Sequence, residues 1–143
     1  MIPLFVAASA QEDSQAVDMF SVIAIMIFSQ QPIAPVIEGV ASYYNIASSS
    51  NLTASGEPMV DEAFTCAMRT GKFGTHYRVT AENGKSVVVR LNDRGPYIDG
   101  RVIDLSEGAM RQLDPTAEQG LLNVRIERIP EAAIPRLFES RSG

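Results

Sequence analysis

Apolar and polar residues follow different rules in the two parts of this chain. The first part holds two apolar runs, residues 1–10 (MIPLFVAASA) and 19–28 (MFSVIAIMIF), separated by an acidic stretch over 12–18. The second run has ten residues. That is about half of what a membrane-spanning helix needs, so no stable membrane span is expected. The first run ends in Ala8-Ser9-Ala10, which is like the small-residue cleavage site of a signal peptide, but it lacks the positively charged start. Two readings stay open: the tail of an export signal, or a helix or arm appended over residues 1–35. Gln31-Pro32-Ile33-Ala34-Pro35 reads as a linker, because proline has no N–H and turns the residue before it away from helix. The expected organisation is an N-terminal extension over 1–35, a folded domain over 36–130 and a tail over 131–143.

From Gly39 onward the pattern is one of short β-type runs between turn signals. Strands are predicted over 40–44 (VASYY), 64–69 (FTCAMR), 76–80 (HYRVT), 86–91 (SVVVRL), 101–105 (RVIDL) and 121–129 (LLNVRIERI). Asn83-Gly84 predicts a hairpin between the third and fourth of these, with both turn residues at positive φ. The run Val87-Val88-Val89 predicts a strand buried on both faces. Ser106 is placed to cap a short helix over 107–113 whose inner face is Ala109, Met110 and Leu113. One helical turn is expected around Pro135–Phe138. These short strands with one small helix predict an all-β domain, a compact barrel, without giving the strand order.

Length and composition add bounds. A chain of 143 residues, 45% hydrophobic and 20% charged, fits one soluble domain. A net charge of −5 with scattered basic residues argues against a general grip on nucleic acid. Cys66 is the only cysteine, so no intrachain disulfide forms. With Cys66 and a single histidine, His76, a zinc site would need carboxylates to complete it; no metal and no cofactor are expected.

Three carboxylates stand in suggestive settings. Asp93 lies in Asn92-Asp93-Arg94-Gly95-Pro96, where it can either bond the amides of a Gly-Pro turn or act as an acid in a groove. Arg94 could pair with it, which would work against the acid role. Asp104 lies between Ile103 and Leu105 and needs a partner. Glu57 lies in a polar loop.

Five segments, in order, resemble rare lipoprotein A (RlpA) proteins, which are double-psi β-barrels. They are residues 39–44 (GVASYY), 53–57 (TASGE), 69–80 (RT, FGT and YRVT), 83–97 (NGKSVVVRLNDRGPY) and 100–106 (GRVIDLS). Asn-Asp-Arg-Gly-Pro followed by Ile-Asp-Leu-Ser is the specific part. The resemblance covers about residues 39–129 and excludes 1–35; no SPOR-type sugar-binding segment follows it, and no lipobox cysteine stands near the start.

The resemblance implies a six-stranded double-psi barrel with a groove for peptidoglycan glycan strands, in the periplasm or cell envelope, and a monomer. It implies lytic transglycosylase activity on glycan freed of stem peptides, giving 1,6-anhydro ends. Asp93 would be the general acid, assisted by Glu57. Tyr97, Arg94, Asp104 and Thr53 would contact the glycan. One departure matters: Met68 stands where active members carry a histidine. It favours the rival expectation, a non-catalytic glycan-binding or wall-loosening module similar to expansins.

Overall fold

The computed structural model describes residues 18–20, 22–23 and 34–139. The chain divides into two compact units, Met1–Ile33 and Ala34–Gly143. In the first, Met19, Phe20, Val22 and Ile23 are helical, and the Asp18 side chain accepts from the Phe20 amide at 3.2 Å. The signal-peptide reading falls on residues 1–10, outside the described residues. Among the described residues no helix is long and apolar enough to cross a membrane.

The second unit is a closed barrel of six strands: β1 (Ile37–Tyr44), β2 (Thr65–Ala67), β3 (His76–Ala81), β4 (Ser86–Asp93), β5 (Arg101–Ser106) and β6 (Leu122–Ile129). Their order around the barrel is β1-β5-β2-β4-β3-β6. The β1/β5 and β2/β4 pairs are parallel and the other four antiparallel. Closure leaves no edge strand to be protected. Ala41, Cys66, Val79, Val89, Leu91, Ile103 and Leu105 point inward and are fully buried. The helix α1 (Glu107–Leu113) packs against the barrel, and its Ala109, Met110 and Leu113 join the same core. The Ser106 hydroxyl caps α1 by accepting from the Ala109 amide at 3.3 Å, and it also donates to the Ala63 carbonyl. After β6 come a short 3-10 turn (Glu131–Ala133) and α2 (Ile134–Glu139).

Two local expectations are corrected. Val87 and Val89 are buried but Val88 is only partly so, because the barrel wall has one core side and the loops cover its outer side incompletely. In the β3–β4 hairpin only Gly84 has positive φ (82°); Asn83 does not. The Ala81 amide donates to Lys85 O and the Gly84 amide to Ala81 O, each at 2.9 Å. This is a three-residue loop, a type I turn closed by a left-handed glycine. A Cβ at Gly84 would meet nothing within 4 Å, so Gly84→Ala should cost backbone strain alone. About 1 kcal/mol of lost stability is expected in denaturant titration.

Candidate active site

A row of side chains crosses four strands on the outer face of the barrel. Ala67 of β2 is in register with Asp93 of β4 on one side and with Asp104 of β5 on the other. Asp104 is in turn in register with Ser42 of β1. Strand spacing puts the Asp93 and Asp104 backbones roughly 10 Å apart, with only a methyl group between them.

A register slip brings Asp93 into this row. Cys66 pairs with Leu91, but Ala67 pairs with Asp93, so Asn92 is an extra residue. Strict alternation would send position 93 inward after Val89 and Leu91. The bulge turns it outward instead.

Asp93 is partly exposed. Its Oδ1 accepts from the Ala54 and Arg94 amides, both at 2.8 Å. Its Oδ2 makes no hydrogen bond among the described residues. The amide-bonding expectation is met in part: one oxygen bonds the amide of the following Arg94 and, in addition, that of Ala54 in the loop over 53–57. Arg94 does not pair with Asp93. Its guanidinium donates to Gly71 O at 2.7 Å and Met68 O at 3.4 Å and lies 4.1 Å from the Phe73 ring centroid.

Asp104 accepts from the Ser42 hydroxyl at 3.0 Å. Burial raises its pKa above the ordinary aspartate value; Ser42 and Arg101 oppose the rise, and the Asp93 charge adds to it. Nearby, the Tyr44 hydroxyl bonds Thr65 Oγ1 at 3.0 Å, and burial pushes its pKa up to about 12, so it stays neutral. Tyr44, Met59 and Ala67 form a small apolar cluster beside the row.

Loop 53–57 forms the wall next to Asp93. Glu57 receives a two-pronged bond from Arg90, 2.7 Å at each oxygen, and a longer one of 3.3 Å from Asn92. The Arg90 bond, first among several causes, holds the Glu57 carboxyl below its usual range. Thr53 is buried, and its hydroxyl bonds Ser55 Oγ at 2.9 Å and Glu57 O at 3.0 Å. Thr53 thus shapes the turn that offers the Ala54 amide to Asp93. Tyr97 is 74% exposed beyond the end of β4. Met68 is buried with the barrel core, and His76 lies on β3 opposite Arg90. Burial, then the Arg90 charge, lower the His76 pKa.

The Glu57–Arg90 pair makes a pH prediction. The folded value lies below the unfolded one, so the contribution is complete above the ordinary glutamate value of 4.5 and is lost as pH falls through the folded value. The Glu57 side chain is 41% and the Arg90 side chain 34% exposed, so the effect on global stability is small. The expected effect is local: the Thr53 and Gly56 amides should show lower protection factors (the intrinsic exchange rate at the same pH divided by the observed rate) in acid than at pH 7, read by NMR.

Sequence reasoning missed Ser42, Ala67, Arg90 and Asn92. Arg90 and Asn92 flank the inward Leu91, which was the available sign that both face outward toward Glu57. Elsewhere, a hollow of about 460 Å³ lies between β1, β3 and β6, lined by Glu38, Thr80, Glu82 and Asn123 among others; it includes none of the row.

Residues 36–126 match the family model described as lytic transglycolase. The chain belongs to this family of RlpA-like double-psi β-barrels. A Nostoc sp. protein named "Probable endolytic peptidoglycan transglycosylase RlpA" is 50% identical over 93 residues, covering 63% of this chain and 25% of that protein. The Campylobacter jejuni endolytic peptidoglycan transglycosylase RlpA is 41% identical over 93 residues, covering 64% and 34%. The chain thus spans about a quarter to a third of the length of the curated relatives it matches. Among solved structures, the Streptomyces papain inhibitor superposes with a TM-score of 0.56 at 23% identity, covering 69% of this chain and 98% of that one. A Clavibacter michiganensis expansin superposes with a TM-score of 0.53 at 21% identity, covering 68% and 52%. These two likenesses concern the fold. The six-stranded RlpA-like barrel expected from the motifs is the observed one.

Proposed function

We propose that this RlpA-like domain is an endolytic peptidoglycan transglycosylase that cleaves peptide-free glycan strands in the periplasm or cell envelope, with Asp93 as general acid. The observation that carries the reading is the partly exposed Asp93, whose Oδ1 is fixed by two amides while Oδ2 has no hydrogen-bond partner among the described residues. A glycan lying along the outer face would meet the partly exposed Asp93 and Asp104, with the buried Ala67 beneath it between them.

The chemistry needs one acid. Protonated Asp93 gives its proton to the glycosidic oxygen as the C1–O bond breaks. The C6 hydroxyl of the muramic acid attacks C1, and its proton returns to the Asp93 carboxylate. No water is consumed, so the second carboxylate of an ordinary glycosidase is not required as a water-activating base or nucleophile. Asp104, whose pKa is raised first by burial, is the second carboxyl beside the proposed glycan path, across Ala67 from Asp93. Glu57 is fixed as a carboxylate by Arg90 and serves by shaping the wall and accepting sugar hydroxyls, rather than by donating a proton. Tyr97 is free to stack on a sugar, and the backbone amide of Arg94 orients Asp93.

A second reading, a glycan-binding or wall-loosening module without turnover, is favoured by Met68, which puts no imidazole at the histidine's position. Incubation with peptide-free glycan strands and mass spectrometry of the ends separates the two. New 1,6-anhydro ends are expected; strand binding with no such ends would leave the binding module.

A further inference from the structure

Two arginines cross between the loops that leave β2 and β4. Arg94, just after β4, reaches back to Met68 O and Gly71 O. Arg69, just after β2, reaches the opposite way: its Nε donates to Pro96 O at 2.7 Å and its Nη2 to Ile98 O at 3.0 Å. The two carbonyls that Arg69 holds flank Tyr97. That ring is 74% exposed, and Ile98 beside it is 54% exposed.

An exposed aromatic on a loop would ordinarily sample many orientations. A guanidinium is a rigid fork of donors, and two charge-assisted bonds to alternate carbonyls hold the intervening residue in one backbone geometry. A preorganised platform loses less freedom when a ligand docks on it. Tyr97 stands four residues beyond Asp93, the last residue of β4.

We propose that Arg69 is a positioning residue: it holds Tyr97 out as a stacking platform for the sugar ring next to the one over Asp93. The proposal rests on the reading that a glycan strand lies across Asp93. Arg69 touches no sugar itself and acts through Tyr97, which fixes a specific energetic signature.

The test is a double-mutant cycle on the full chain, reading the Kd for peptide-free glycan strands by calorimetry. Arg69→Ala and Tyr97→Ala should each weaken binding by about tenfold, and the double variant should be no weaker than Tyr97→Ala alone. Arg69→Lys, a single point donor able to hold one carbonyl, should fall between Arg69→Ala and the unaltered protein, with melting temperature unchanged. In turnover the loss should fall mainly on KM. Losses that multiply to about a hundredfold, or an Arg69→Ala variant that binds as the unaltered protein does, would overturn the positioning role. Tyr97→Ala that still binds fully and still makes 1,6-anhydro ends would overturn the platform while leaving the transglycosylase reading intact. An unaltered protein that neither binds nor cleaves the strands would overturn both.

Discussion

Asp93→Asn should lower the yield of 1,6-anhydro ends by about 100- to 10,000-fold, the usual contribution of a general acid. The substitution is chosen because asparagine keeps one carbonyl oxygen. That oxygen can still accept from the Ala54 and Arg94 amides, so loop 53–57 and the turn after β4 stay in place. What is lost is the acidic proton on the open oxygen. The melting temperature should therefore stay within a few degrees of the unaltered protein. Asp93→Ala differs in kind: it removes the acceptor as well, leaves two amides without their partner, and should lose stability together with activity. Equal product yield from Asp93→Asn and the unaltered protein would remove Asp93 from the chemistry.

Leu105→Ala should have the largest effect on folding. Leu105 is fully buried on β5, in register with Tyr43 of β1 and Cys66 of β2. Truncating a leucine in so closed a site typically costs about 2–5 kcal/mol, through lost burial plus the cavity left behind. At about 3 kcal/mol, a domain near 100 residues should melt roughly 12–24 °C lower. Thermal unfolding followed by circular dichroism reads this directly. The outer-face substitution Ser42→Ala, which removes one hydrogen bond from Asp104, should move the midpoint far less.

Legibility from the sequence varied with the distance over which each feature is determined. The helix α1 was readable in full, because Ser106, Ala109, Met110 and Leu113 carry cap and inner face within eight residues. Strand existence was readable from apolar alternation. Strand order was not: β1 pairs in parallel with β5, about sixty residues later, and no local pattern encodes that partner. The site was legible only through motif resemblance. Local alternation alone places Asp93 on the core side of β4, and the bulge at Asn92 that reverses it depends on pairing with β2. The arginine beside Asp93 suggested an ion pair, yet its guanidinium turns to Phe73 and two carbonyls of the neighbouring loop. Arg69 stood out only as part of a motif segment, since an exposed arginine after a short strand has no local signature of what its fork will hold.

Chemical-shift mapping gives the most direct check. Isotope-labelled protein carrying Asp93→Asn, titrated with peptide-free glycan strands, should show its largest amide shifts at Ala54, Ala67, position 93 and Asp104. Shifts gathered instead around Thr80, Glu82 and Asn123, at the hollow between β1, β3 and β6, would contradict the assignment of the outer-face row as the place where glycan meets this barrel.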